Sequence, residues 1–238
     1  MKTFSIAIVG IAALVGTPVL AADLAVKAPP PVVAPPLSWT GPYAGIAGGY
    51  GWGHSDQWDP GFCVTDCVFG DFDGSYKING GLVGGTVGQN WQWGAWVFGV
   101  ENDWSWADIS GSSNTCGLKS GFPHSCGTKL DFLGTLRGRL GVPIGPNSAW
   151  LPYVTGGLAY GQVKAWDNFT PANGSDYRDG WTAGGGIEVL FAPNWSFKVE
   201  YLFVDLGNKV MFNVAPGVPE WVSVRDNVVR VGINYQSR

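Results

Sequence analysis

The sequence has few charged residues, only two histidines and no excess of basic residues. Charged residues make up 13% of the 238 positions, and 14 basic residues face 18 acidic ones. Proteins that bind nucleic acid carry a basic surface, so nucleic acid is not an expected partner. Disordered chains are rich in charge and poor in aromatic residues, whereas 14% of this chain is aromatic. The composition therefore predicts a folded protein.

Long apolar runs are also missing, apart from one at the N-terminus. Lys2 precedes an apolar stretch that ends in the small-residue sequence Val19-Leu20-Ala21, the pattern of a secretory signal peptide. A membrane-anchoring helix is the weaker interpretation, because Gly10, Gly16 and Pro18 interrupt the stretch and leave it short for a span.

Two regions of different amino-acid composition follow this stretch. The sequence KAPPPVVAPPLS (27–38) is rich in proline, which favours extended polyproline II and cannot pair as a central strand. The rest has the length of one all-β domain. We predict a signal peptide (1–22), a proline-rich linker (23–38) and one barrel domain (39–238).

Four cysteines in an exported chain indicate two disulfides. They are Cys63, Cys67, Cys116 and Cys126. Each pair lies within one predicted loop, so 63–67 and 116–126 are the simplest of the three possible pairings, and bridges between loops stay open. By ligand type, three of these cysteines and His124 could bind a metal, but an oxidising compartment favours disulfides.

Strand-like segments alternate with short and long connections. The eight segments are 39–53, 76–93, 95–107, 128–142, 150–164, 179–191, 195–206 and 223–235. The short connections are Gly94, 143–149 and 192–194, and the long ones are 54–75, 108–127, 165–178 and 207–222. This is the plan of an eight-stranded antiparallel up-and-down transmembrane β-barrel.

Apolar and charged residues alternate within these segments. In 95–107, Phe98 and Val100 share one face, while Glu101 and Asp103 share the other. A soluble barrel also alternates, so the aromatic residues decide which face is inside. The set near the short turns is Trp39, Trp91, Trp93, Trp96, Trp150, Trp195 and Tyr235. The set near the long loops is Tyr50, Trp52, Trp104, Trp106, Tyr160 and Trp181.

Two aromatic belts are what a membrane-spanning barrel needs at its two interfaces. Trp96 and Trp104 are eight residues apart, or roughly 20 Å at about 3.3 Å per residue and a tilt of about 40°. In LDFLGTLRGRLG (130–141), we therefore expect Leu130, Phe132, Leu136 and Leu140 to face lipid, and Arg137 and Arg139 to face the lumen.

Charged residues inside a narrow eight-stranded lumen must be paired, because an isolated buried charge is costly. We predict an ion-pair network centred on Arg137, Arg139, Glu101 and Glu200. Its further members are Asp103, Glu188, Lys198 and Arg230.

Several stretches resemble the small outer-membrane β-barrel family that includes OmpA-, OmpX- and opacity-like proteins, and particularly the short porin-family proteins of alphaproteobacteria. They are SWTGPYAGIAGGYGWG (38–53), GGLVGGTVGQNWQWGAWVFGVENDWSW (80–106), LDFLGTLRGRLG (130–141), LPYVTGGLAYG (151–161) and GWTAGGGIEVLFAPNWSFKVEYLFVDLG (180–207).

The resemblance implies a multi-pass protein of the bacterial outer membrane, surrounded by lipid and lipopolysaccharide. It also implies insertion by the outer-membrane assembly machinery, which reads a C-terminal aromatic strand. Here Val229, Val231, Ile233 and Tyr235 would form that signal, followed by Gln236-Ser237-Arg238. The four cysteines and the long loops are not part of the shared pattern.

Three functions fit the sequence. The first is a structural envelope protein with surface-exposed loops, the second a narrow porin-like pore for small polar solutes, and the third a secreted soluble barrel that binds a ligand. Catalysis is not expected, because His54 with Asp56 has no nucleophile or second base placed by any motif. No cofactor is expected. Trp166, Phe169 and Trp221 could offer aromatic surface in the loops to a host or neighbouring cell.

Overall fold

The chain folds as a closed barrel of antiparallel strands. A computed structural model describes residues 37–59, 71–117, 123–168, 172–215 and 218–237. Each strand pairs with the next and the last pairs with the first. In these residues the eight strands are β1 (Gly41–Asp59), β2 (Asp71–Trp93), β3 (Trp96–Cys116), β4 (His124–Gly141), β5 (Trp150–Asp167), β6 (Ala172–Ala192), β7 (Trp195–Ala215) and β8 (Val218–Gln236). The predicted all-β, eight-stranded up-and-down fold is confirmed.

One end of the barrel, here called the turn end, has short connections. β2 and β3 meet at Gly94, whose φ of 59° favours glycine. The β4–β5 connection includes a short 3-10 turn, Pro146–Ser148. Within the described residues no helix is long and apolar enough to cross a membrane. The opposite end is called the loop end.

The strands reach further towards the loop end than the sequence predicted. The predicted long connections are wrong in extent, because β3 continues to Cys116 and β7 to Ala215. Their extensions are held by inward-facing apolar side chains that pack on one another. Ser, Asn, Gly and Asp residues on the outer positions made these extensions look like loops. The signal peptide and most of the linker lie outside the described residues, as do Cys63 and Cys67.

Large apolar side chains cover the outside of the barrel between the belts. Phe98 is 47% exposed, whereas Arg137, on the neighbouring strand, is 1% exposed. Other outward apolar residues are Ile46, Val83, Val100, Leu136, Val154, Leu158, Ile187, Phe197, Val199, Val229, Val231 and Ile233. This is the reverse of a water-soluble barrel, so the soluble ligand-binding alternative is wrong.

Aromatic side chains form the two predicted belts with one exception. The exposed members are Trp91, Trp93, Trp96, Trp150, Trp195 and Tyr235 at the turn end, and Tyr50, Trp52, Trp104, Trp106 and Trp181 at the loop end. Tyr160 is half-buried beside Phe132, with ring centroids 6.1 Å apart.

The exception is Trp39, whose placement in the lipid-facing belt is wrong. Its side chain is fully buried in a small apolar cluster with Val97, Leu151 and Leu190. Its ring Nε1 donates a hydrogen bond to the carbonyl of Ser148 at 2.9 Å, and its backbone N–H donates to Oε1 of Gln92 at 2.9 Å. Trp39 therefore closes the turn end from inside.

The barrel reverses its polarity towards the loop end. Inward-facing side chains there form a second, larger apolar core, whose members include Ile78, Ile109, Leu130, Leu133, Val163, Leu202, Val204, Leu206, Val222, Val224 and Val228. The outward-facing positions at that level carry Lys77, Lys129, Lys164 and Arg225. Most inward residues there are thus apolar, with Arg178 and Asp226 among the buried charged exceptions, and the outer positions carry charge as in a soluble protein.

Leu130 belongs to this inner core and does not face lipid, so its predicted orientation is wrong. Leu130 pairs with Val163, but Phe132 pairs with Gln162, so Asp131 is an extra residue in β4. Such a bulge places two residues opposite one and reverses the alternation. Leu130 is consequently buried, while Leu136 keeps its predicted outward direction.

Candidate functional site

The predicted lumen residues come from five of the eight strands but meet at one level of the barrel. Strand pairing sets Glu101 beside Arg137 on β3 and β4, and Glu200 beside Arg230 on β7 and β8. Glu188 on β6 is likewise opposite Lys198 on β7. Because each of these residues has the inward parity of its strand, the period of two brings them together across the lumen.

Arg137 is the centre of the network. Its Nη1 donates to Oε2 of Glu200 at 2.7 Å, and its Nη2 donates to Oδ2 of Asp103 at 2.8 Å. The same Nη2 binds Oε1 of Glu101 at 2.5 Å, and Nε donates to Oγ1 of Thr135 at 2.9 Å. A guanidinium has five donors in a planar fork, so one arginine can bind three carboxylates.

The other three cations complete the network. Nζ of Lys198 donates to both carboxylate oxygens of Glu101 at 2.9 Å. Nη2 of Arg139 donates to Oε2 of Glu188 at 2.7 Å, and Nε of Arg230 donates to Oε1 of Glu200 at 2.6 Å. Each of the four carboxylates has a cationic partner within ion-pairing distance.

Two tyrosines line the network and were missed from the sequence. Tyr43 donates to Oε2 of Glu101 at 2.7 Å, and Tyr153 donates to Oε2 of Glu200 at 3.0 Å. The guanidinium of Arg139 lies 4.1 Å from the ring centroid of Tyr153, within cation–π range. Both tyrosines have the inward parity of their strands, which was the signal available in the sequence.

The eight charged residues are almost completely buried and their formal charges cancel. Glu101, Asp103, Glu188 and Glu200 balance Arg137, Arg139, Lys198 and Arg230. Removing such groups from water costs several kcal/mol per ion, by order of magnitude, unless pairing is complete. The geometry therefore suits a permanently filled lumen.

The remaining candidate residues lie near the loop end and do not form one site. Cys116 and Cys126 form a disulfide that joins β3 to β4, with Cα atoms 6.0 Å apart. Nε2 of His124 lies 2.7 Å from Oδ2 of Asp167, whereas His54 is exposed on the outside of β1. Within the described residues no cluster of His, Cys, Asp and Glu could hold a metal ion.

Comparison with known proteins agrees with this architecture. Residues 12–236 match the family model of the outer membrane protein beta-barrel domain. The 31 kDa outer-membrane immunogenic protein of Brucella melitensis is 35% identical, over 98% of this chain and 99% of that protein. The 22 kDa outer membrane protein of Rhizobium leguminosarum bv. viciae is 31% identical, over 74% of this chain and 69% of that protein.

Among solved structures, the outer membrane protein OprG of Pseudomonas aeruginosa has a TM-score of 0.46 and 15% identity, over 83% of this chain and 97% of that chain. The relatives named above and the extent of the family match fix both the class of protein and its location. The turn end of such a barrel faces the periplasm and the loop end faces the outside. This chain is an integral protein of the bacterial outer membrane and belongs to the outer membrane β-barrel family.

Proposed function

We propose that the protein is a structural, non-conducting and non-enzymatic component of the outer membrane that holds its loops clear of the surface. The neutral ion-pair network fills the middle of the lumen. The Trp39 cluster lies on its periplasmic side and the larger apolar core on its outer side. A solute would have to displace three packed layers to cross.

The lumen ion-pair network is the observation that supports this proposal. A pore for polar solutes keeps its charged groups hydrated and its passage open, whereas these side chains bind one another. A hydrolase needs a base or nucleophile free to reach a substrate. The lumen carboxylates are instead held by arginine and lysine, and His124 is bonded to Asp167.

Recordings of the full chain in planar bilayers test the proposal. Folding is first verified by anomalous gel migration before boiling. We expect no steady conductance steps from the wild-type protein. A steady conductance from the folded wild-type protein would contradict the proposal and favour the narrow porin-like pore.

A further inference from the structure

Three polar side chains lie side by side on the outer surface, one step beyond the loop-end belt. Strand pairing sets Arg225 of β8 beside His54 of β1, and His54 beside Lys77 of β2. All three side chains are exposed and face outward. Neighbouring strands are about 4.8 Å apart, so the row spans roughly 10 Å along the surface. We call Arg225, His54 and Lys77 the basic row.

The basic row lies at the height of the lipid headgroups. His54 is two residues beyond Trp52 of the belt, a rise of about 5 Å on a strand tilted by about 40°. Aromatic belts mark the boundary between acyl chains and headgroups. In the outer leaflet of this membrane, anionic headgroups are therefore the neighbours of the row.

The basic row differs from other lysines on the outer surface, which form ion pairs with aspartates. Among the described residues, neither Lys77 nor His54 has an acidic partner within ion-pairing distance. Arg225 contacts Asp205 through Nε at 3.3 Å, which leaves the outer edge of its guanidinium available. Asp56 lies on the next outward position of β1.

The opposite side of the barrel provides the contrast. Lys129 binds Asp108 at 2.9 Å and Asp131 at 3.4 Å, and Lys164 binds Asp131 at 2.6 Å. Hydrogen bonding to Lys164 and Lys129 holds the pKa of Asp131 below its ordinary value. The carboxylates on β3 and β4 therefore already occupy the two lysines.

The surface just below the basic row carries hydroxyl and amide groups. Tyr50 donates to Oδ1 of Asn79 at 2.9 Å, and Tyr201 donates to Oδ1 of Asn227 at 2.7 Å. Further towards the membrane centre, Gly48 and Gly81 face outward. A Cβ at either glycine would meet no atom closer than 3.7 Å, so both leave shallow space for acyl chains.

We propose that this sector of β7, β8, β1 and β2 binds a phosphorylated glycolipid of the outer leaflet, with its phosphate on the basic row. Arginine and lysine bind phosphate by charge-assisted hydrogen bonds, and an imidazole N–H between them adds a donor. The amide and hydroxyl groups of the row below face the sugar. The inference deepens the proposed envelope function by naming the lipid that the barrel would hold.

Native mass spectrometry of the full chain in neutral detergent tests this proposal. The probes are bisphosphorylated lipid A and the same lipid with its phosphates removed. We expect the wild-type protein to bind the phosphorylated lipid at least tenfold more tightly, a difference of about 1.4 kcal/mol, because the phosphate adds charge-assisted hydrogen bonds to the basic row. Equal binding of the two lipids would overturn the proposal without the use of any variant.

Matched variants locate the site. We expect His54→Gln, Lys77→Gln and Arg225→Gln, combined in one protein, to remove this preference. Lys129→Gln, Lys164→Gln and Lys209→Gln, combined in another, should keep it, because those lysines are already paired. Equal loss in both proteins, or displacement of the lipid by excess inorganic phosphate, would contradict a glycolipid site. The lipid-binding test does not measure conductance. A failure of the glycolipid site is therefore distinguishable from a failure of the proposed non-conducting function.

Discussion

At the scale of single residues, Arg137 is the central cation of the lumen network. It donates hydrogen bonds to three carboxylates, those of Glu101, Asp103 and Glu200. Its side chain is fully buried in the closed lumen. Its removal therefore leaves negative charges that repel one another in a medium of low polarity.

Arg137→Leu should accordingly destabilise the barrel strongly. Removing one partner from a buried ionic cluster costs roughly 3–5 kcal/mol, and the loss should appear as unfolding at lower urea concentration in detergent. The folded fraction is measured by gel migration without boiling. Lys129→Leu is the control, since an exposed ion pair contributes about 0–1 kcal/mol. Equal stability of the two variants would show that the network is not a stabilising unit.

Single residues also show where sequence reasoning succeeded and failed. The inward direction of Arg137 and the outward direction of Phe98 followed from a period of two that no irregularity interrupts. Leu130 could not be placed in this way, because the single extra residue at Asp131 leaves no mark in the hydrophobic pattern. The direct contacts of Tyr43 and Tyr153 were equally hidden, since parity gives a direction but not a partner.

At the scale of elements, the segment before β1 ties the turn end together. Trp39 contacts Gln92 before the β2–β3 turn, Ser148 in the β4–β5 connection and Gln236 at the end of β8. The sequence showed only a tryptophan next to a strand end, the same signal as for the belt residues. Its burial depends on contacts far along the chain, so local reasoning could not distinguish it from Trp93.

Trp39 and Trp93 therefore offer a matched comparison. Trp39 is fully buried, whereas Trp93 is 82% exposed. Trp39→Ala should cost about 3–5 kcal/mol, the usual range for truncating a buried tryptophan, while Trp93→Ala should cost much less. Urea unfolding followed by gel migration measures both. If Trp93→Ala proved the more damaging change, the turn end would be held by its lipid contacts and not by the buried cluster.

At the scale of the whole molecule, the barrel has two differently solvated parts on the same strands. The periplasmic part is charged inside and apolar outside. The outer part is mostly apolar inside, apart from buried residues such as Arg178 and Asp226, and carries charged residues outside. The first was predictable from aromatic belts and alternation. The second was not, because its polar outer positions contain the residues that also build loops.

Cysteine labelling in intact cells tests the orientation of the two parts. With Cys63 and Cys67 replaced by serine, Lys164→Cys should react with a maleimide polymer too large to cross the outer membrane. Ala95→Cys, in the β2–β3 turn, should react only after the membrane is permeabilised. The reverse pattern would place the short turns on the outside.

The extended strands have a further consequence for what the cell surface displays. From Tyr160 to Asp167, β5 continues beyond the belt for seven residues, a height of roughly 20 Å at about 3.3 Å per residue and moderate tilt. A peptide grafted between β5 and β6 would thus be held by the extended strands above the sugars nearest the membrane. Because these extensions enclose an apolar core of their own, the grafted peptide could be exchanged without disturbing the membrane-embedded segment below.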